Sequence, residues 1–301
     1  MRAFIYKVLL FIFIVICVDF FTGFVFSSLF AKAKSGIAYK ENYIFNKTNE
    51  ALLIFGSSRA EHHYVPEIIS KETAIKSYNV GREGAGIFFH YAVLLSTLER
   101  YTPKVIVLDL DHRDVYFKSN NFGPNVVKEA APFYGKISKE FDSLLVRNNY
   151  DYFLYQSNLF KYNKKFFPIL TGALRNEKKY DGYVPVSGVL SSAPKDSISE
   201  DYTISSDLVK VTKDFILKAK KKNIKLIIVL SPSYKKLPKE FDTYVSSLQT
   251  KYNINVINHF KDTTFLNHPK YFRDIDHLND EGAKLFSKIV AKEINTIIQQ
   301  K

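Results

Sequence analysis

Two adjacent hydroxyl residues, Ser57 and Ser58, follow Gly56 and the apolar run of residues 51–55; Arg59, Glu61, His62 and His63 come next. A serine becomes a nucleophile when a histidine takes its proton, and a carboxylate commonly orients that histidine. The stretch FRDIDHLNDEGA, residues 272–283, offers such a pair. Asp274 and His277 are three apart, close enough within a turn for the carboxylate to hold the imidazole. A third stretch, NVGREGAG (79–86), contains three glycines that let the backbone approach a ligand and expose its N–H groups. Each stretch also has an ordinary reading. Gly-Ser-Ser is a common turn and N-cap combination, His277 and Asn279 suit the start of a helix, and the glycine spacing fits a dinucleotide fingerprint poorly.

The elements around these residues decide where they lie. Residues 51–55, 74–80, 104–110, 224–232 and 254–260 are short apolar runs bounded by Gly or Pro or by polar residues, and they read as strands. Residues 87–101, 205–223 and 279–298 have helical apolar spacing. Continuously apolar strands alternating with helices predict an α/β fold with a mainly parallel sheet covered on both faces. Ligands of such sheets bind at the carboxyl ends of the strands, the edge where Ser57, Ser58 and residues 79–86 fall. Between Val115 and Ile204 the alternation stops. That stretch, rich in Tyr, Phe, Asn and Lys, reads as a helical and loop insertion over the working end of the sheet, most helix-like at 152–170.

The N-terminus reads differently. Arg2 and Lys7 precede 24 residues, Val8 to Ala31, in which Asp19 is the sole charge. About 20 helical residues span a bilayer core. A cleaved signal peptide has a shorter apolar region with a small-residue site close behind it. Here the best such site, Ala31-Lys32-Ala33, lies well past Val18, and Ile16 before Cys17 does not suit lipoprotein processing. The expectation is an uncleaved anchor (1–35), a linker (36–49) and an α/β domain (50–301) carrying the insertion at 115–204. Arg2 and Lys7 favour a cytoplasmic N-terminus, with Lys32, Lys34 and Lys40 pulling the other way. The chain carries a net charge of +13, but its lysines are spread along its length and no nucleic-acid-binding motif accompanies them. A single cysteine excludes disulfides within the chain.

Taken in order, strand–Gly-Ser-Ser, strand–Asn-x-Gly-x-x-Gly and a late Asp-x-x-His before a terminal helix resemble the SGNH/GDSL hydrolase superfamily. The resemblance covers roughly residues 50–115 and 205–298, and it implies a flavodoxin-like three-layer α/β/α sandwich. It also implies that Ser58 is the nucleophile, with Ser57 where aspartate is commonest, and that Asp274 and His277 complete the triad. The oxyanion-hole donors it implies are the N–H groups of Ser58 and Gly84, with Gly81 the alternative. The family's third block supplies an asparagine donor; here that strand runs into LDLDHRD (108–114), leaving His112 or Arg113 as substitutes. Gly-Ser-Ser-Arg, the N-terminal anchor and the ending DIDHLNDEGA also resemble membrane-anchored SGNH-like proteins that accompany membrane-bound O-acyltransferases, in teichoic-acid D-alanylation and exopolysaccharide acetylation.

The chemistry implied is acyl transfer through an acyl-serine, with water or a glycan hydroxyl as acceptor and no metal or cofactor. Arg59 and Arg82 are candidate contacts for an anionic substrate group. Expected partners are an acylated glycan or cell-envelope polymer outside the cytoplasm, a membrane-bound O-acyltransferase, and the membrane itself through residues 8–31. The rival expectation is a non-catalytic SGNH-like partner protein, favoured by the missing asparagine. A zinc site from His62, His63 and His112 lacks the usual ligand spacing.

Overall fold

A computed structural model describes residues 1–117, 124–146, 148–175, 180–194 and 203–300. The first elements are α1 (Arg2–Lys32), α2 (Gly36–Asn46), β1 (Leu52–Gly56), α3 (Ser58–His63), α4 (Pro66–Thr73), β2 (Ser77–Asn79), α5 (Ile87–Arg100) and β3 (Val105–Asp109). Next come β4 (Tyr116–Phe117), α6 (Lys139–Leu145), α7 (Asn149–Leu154), α8 (Asn158–Tyr162), α9 (Phe166–Leu174) and β5 (Thr203–Ile204). The chain finishes with α10 (Ser206–Lys221), β6 (Lys225–Leu230), α11 (Lys239–Tyr252), β7 (Asn255–Asn258), α12 (Thr263–Leu266) and α13 (Asp280–Gln299). Two compact units result: Met1–Lys47 with Val127–Lys178, and Thr48–Val126 with Lys179–Lys301.

The second unit holds a five-stranded sheet in the order β2-β1-β3-β6-β7, and every pairing in it is parallel. This is the flavodoxin-type order, in which the chain reverses direction across the sheet between β1 and β3. The strands read as unbroken apolar runs because both faces are covered. Leu52 and Ile54 point into a core shared with α3, α4 and α13. The alternate residue Phe55 meets Phe215 of α10 edge-on at 5.3 Å. The architecture is therefore α/β/α. A two-stranded antiparallel ribbon, β4 with β5, stands apart from the main sheet.

The first unit departs from the expected boundaries. Residues 36–49, read as a linker, contain α2, whose Ala38, Ile44 and Phe45 are buried, with Phe45 stacked on Phe133 at 4.2 Å. The polar residues that gave α2 its linker-like appearance have partners. Glu41 is buried and both its oxygens accept from the Lys165 ammonium at 2.7 Å; that ammonium also bonds Glu129. The presumed insertion is likewise divided: its described residues 127–175 fold with α1 and α2, whereas 180–194 and 203–204 belong to the sheet-bearing unit. The helix α11 was not anticipated from the sequence. The second strand is three residues long rather than seven.

Candidate active site

Strand β1 ends at Gly56, whose φ of +141° and tight surroundings both require glycine. A Cβ there would lie 2.7 Å from the Asp109 carbonyl oxygen and 2.8 Å from Ala60 Cβ. The chain turns sharply at Ser57, and Ser58 becomes the first residue of α3. Its backbone N–H consequently has no acceptor within the helix. The neighbouring loop is stitched to α3 by the buried Asn79. Its amide donates to the carbonyls of Ala60 (2.7 Å) and Tyr64 (3.0 Å), and its oxygen accepts the Gly81 N–H (2.9 Å). Gly81 allows this close approach, since a Cβ would stand 2.8 Å from Ala60 Cβ and from the Glu61 nitrogen. With its N–H taken by Asn79, Gly81 is not available as an oxyanion donor. Gly84, at φ +70°, lines a small pocket together with Ser57, Ser58, Phe88, Arg113 and Leu208.

The late motif reaches this pocket from the other end of the chain. Residues 272–278 form a tight turn closed by a bridge between Phe272 and Leu278 and by the Arg273 N–H to the His277 carbonyl (2.8 Å). Inside the turn, Asp274 Oδ1 accepts from the backbone N–H groups of Asp276 (2.9 Å) and His277 (3.0 Å). The His277 ring nitrogen Nδ1 donates to the same carboxylate, at 2.9 and 3.0 Å from its two oxygens. The other nitrogen, Nε2, lies 2.8 Å from Ser58 Oγ. With Nδ1 carrying its proton toward Asp274, Nε2 presents a lone pair to the serine hydroxyl. Partial burial pushes the Asp274 carboxyl up, but hydrogen bonds from the His277 ring and the turn backbone outweigh it and leave it below its usual range. It thus remains a carboxylate through neutral pH.

Beneath these residues lies a platform of buried charge that motif reading did not foresee. Arg59, a candidate substrate contact, is only 2 % exposed. Its guanidinium donates to the Leu110 carbonyl (3.2 Å) and sits 3.4 Å from both Asp109 and Asp111. It neutralises carboxylates under the site and does not face the pocket. His112 is corrected in the same way, being buried 3.1 Å from Asp111 and against the Phe241 ring. Arg113 does line the pocket, with its guanidinium gripping Asp111 through Nε (2.9 Å) and Nη2 (2.7 Å). Arg82 lies partly exposed in the Gly81–Gly84 loop, donating to the Glu83 carbonyl at 3.0 Å. Burial pushes the Asp111 carboxyl up, and Arg113 and Arg59 more than offset this, holding it well below its usual range. Asp114, buried at the pocket wall, is pushed up to about 7 by burial and by Asp111. Ser57 Oγ, also at the pocket, is buried with no hydrogen-bond partner among the described residues.

Two further supports carry no chemistry of their own. His63 is buried and neutral, its pKa driven well down chiefly by burial. Its Nε2 accepts the Leu278 N–H (2.9 Å) and its Nδ1 donates to Ser231 (3.1 Å), so it fixes the residue next to His277. An extended strap from the presumed insertion crosses the same region. His62 Nδ1 donates to the Val184 carbonyl (2.8 Å), and Asn279 donates to the Gly188 carbonyl (2.9 Å). The sequence signal for His63 was its adjacency to Ser58; nothing in the sequence marked the strap. Ligand-type atoms of Glu61, His62 and Glu83 lie within 4.8 Å of one another. Within that group Glu61 accepts the Glu83 N–H at 2.6 Å, and His62 packs edge-on to His277 at 5.8 Å.

Comparison with known proteins finds no matching protein-family model and no matching curated protein. Solved structures do align. One, from Desulfitobacterium hafniense DCB-2, is provisionally described as a lipolytic protein of the G-D-S-L family. It is 11 % identical with a TM-score of 0.42, over 80 % of this chain and 98 % of that one. Another, provisionally described as an acylhydrolase from Bacteroides fragilis NCTC 9343, is 12 % identical with a TM-score of 0.42, over 84 % of this chain and 90 % of that one. Likeness at this level leaves function to be argued from the site itself.

Proposed function

We propose that the protein is a serine acyl-ester enzyme of SGNH type, anchored by α1 and acting on an acylated glycan or cell-envelope polymer outside the cytoplasm. The observation that carries this reading is the continuous chain Asp274–His277–Ser58, with contacts of 2.9 and 2.8 Å, at the carboxyl end of β1. A serine meets a carboxylate-held histidine 219 residues further along the chain, in the order that activates a hydroxyl. His277 takes the Ser58 proton as Oγ attacks the ester or thioester carbonyl. The developing oxyanion lies toward the N–H groups of Ser58 and Gly84, and loss of one such donor costs roughly 10²–10³ in turnover. The leaving oxygen or sulfur receives the proton from His277, and the acyl group remains on Ser58. Water or a sugar hydroxyl, deprotonated by His277, then attacks the acyl-serine; the acyl–Oγ bond breaks, His277 returns the proton to Ser58, and the acyl group leaves as an acid (esterase) or as a new ester (transferase). The non-catalytic alternative has less support, because a binding protein has no need of a serine–histidine contact.

The test is covalent labelling of the full chain in detergent with a fluorophosphonate. The full chain is required because residues 36–47 fold together with α1 in one compact unit. Labelling should be lost in Ser58→Ala and His277→Ala and kept in Ser57→Ala. A folded wild type that takes up no label refutes the catalytic reading.

A further inference from the structure

Beyond α1 itself and Ile37, the exposed large apolar residues described in its unit lie on α7, α8 and α9. Helix α9, FFPILTGAL, has no charged residue. It buries Ile169 and Gly172 and exposes Phe167 (73 %), Leu170 (41 %) and Leu174 (79 %). These three sit at i, i+3 and i+7, on one face, where a helix facing water carries polar residues. Helix α7 adds exposed Tyr150, Tyr152 and Phe153, and α8 adds Leu159.

Helices α8 and α9 run beside the second half of α1, and α7 leads into α8. The Asp19 carboxylate accepts hydrogen bonds from Ser157 Oγ (2.6 Å), Asn158 N (2.9 Å), Asn158 Nδ2 (3.1 Å) and Leu159 N (2.9 Å). It therefore caps the N-terminus of α8. Further along, Phe26 stacks on Tyr162 at 6.0 Å and meets Phe166 edge-on at 5.4 Å. Helix α1 is 31 residues long, about 46 Å at 1.5 Å per residue, against a hydrocarbon core of about 30 Å. Asp19 and Phe26 fall inside the apolar stretch 8–31, and α9 runs on from Phe166 beside Phe26 to Gly172, whose carbonyl accepts the N–H groups of Lys34 (2.8 Å) and Ser35 (3.3 Å), so what packs against α1 reaches from the bilayer interior to its rim. A carboxylate at such depth is tolerated when its lone pairs are satisfied, and α8 with its N-cap Ser157 supplies four donors for Asp19.

We propose that α7–α9 form a lipid-facing shelf, with Phe153, Phe167, Leu170 and Leu174 in contact with bilayer acyl chains alongside α1. The occupant follows from continuity: α1 exposes Phe20, Phe21 and Phe24, and α9 packs onto the same helix through Phe166 and Phe26. Tyr150 and Tyr152 on α7 suit the headgroup level, where amphipathic rings are favoured. This inference rests on α1 crossing the membrane and adds a second lipid contact from residues distant in sequence.

The experiment uses the full chain in vesicles of phosphatidylcholine and phosphatidylglycerol. Native Cys17 is labelled with an environment-sensitive fluorophore. In a Cys17→Ser background, Phe167→Cys, Leu170→Cys, Leu174→Cys and the control Leu217→Cys are labelled in turn. All replace exposed side chains, and unchanged melting verifies the fold. Acyl-chain-brominated lipids should quench positions 17, 167, 170 and 174 and leave 217 unquenched. Quenching at 17 with water-like emission at 167, 170 and 174 overturns the shelf. Blue-shifted, unquenched emission at those three positions also overturns it, pointing to cover by protein. If position 17 is itself unquenched, the anchor fails and the shelf with it.

Discussion

Replacing Arg59 by methionine tests whether this residue is structural, as its surroundings dictate, or a substrate contact. The guanidinium lies 3.2 Å from the Leu110 carbonyl, 3.4 Å from each of Asp109 and Asp111, and over the Phe260 ring at 5.8 Å. Asp111 keeps its two-point contact with Arg113 in the variant and stays ionised. Asp109 is left with the hydroxyls of Tyr64 (2.7 Å) and Ser231. Its carboxyl is already raised, because burial outweighs Arg59, and without Arg59 it rises further. Breaking one partner of a buried ion pair costs about 3–5 kcal/mol. At roughly 2–4 °C per kcal/mol for a body of this size, melting should fall by about 6–20 °C. The loss should grow with pH. Asp109 in the variant has a folded pKa above its unfolded value, so its contribution declines as pH rises from about 4 upward. Calorimetry of wild type and Arg59→Met in detergent at acid and mildly alkaline pH measures both effects. A variant that melts within about 1 kcal/mol of wild type and instead shows a raised KM would refute the structural assignment.

Three more outcomes are expected. Asp274→Asn should lower kcat by roughly 10²–10⁴ with little change in KM, the upper figure being that of a buried triad carboxylate; steady-state kinetics on an ester substrate checks this. Asp114→Asn should alter how stability depends on pH. The raised carboxyl makes the folded wild type bind more protons than the unfolded chain between about pH 4 and 7, so wild-type stability drops across that window relative to the variant. Melting temperatures at the two ends of the window report the difference. Lys165→Met removes the buried ammonium that neutralises Glu41 and Glu129 and should destabilise the α1-containing unit by about 3–5 kcal/mol, seen as earlier proteolysis within residues 127–175.

The sequence by itself determined the elements whose physics is local. Five apolar runs became the five strands of the main sheet because residues covered on both faces must be apolar throughout. The glycines at 56 and 81 marked turns that only glycine can make, and the 24-residue apolar stretch marked α1. The types and order of Ser58, Asp274 and His277 could be read from the sequence through the motif resemblance, as candidates for a serine–histidine–carboxylate set. Their distances were not legible. The 2.8 Å contact between residues 219 apart exists only because β1 and the turn before α13 end at the same edge of the sheet. Burial was equally hidden. Arg59 stood as a substrate contact and His112 as an oxyanion donor until the fold set Asp109 and Asp111 beside them, and α2 looked like a linker until Lys165 met Glu41. A charge in sequence carries no mark of whether water or another buried charge will neutralise it, and only tertiary packing decides between them.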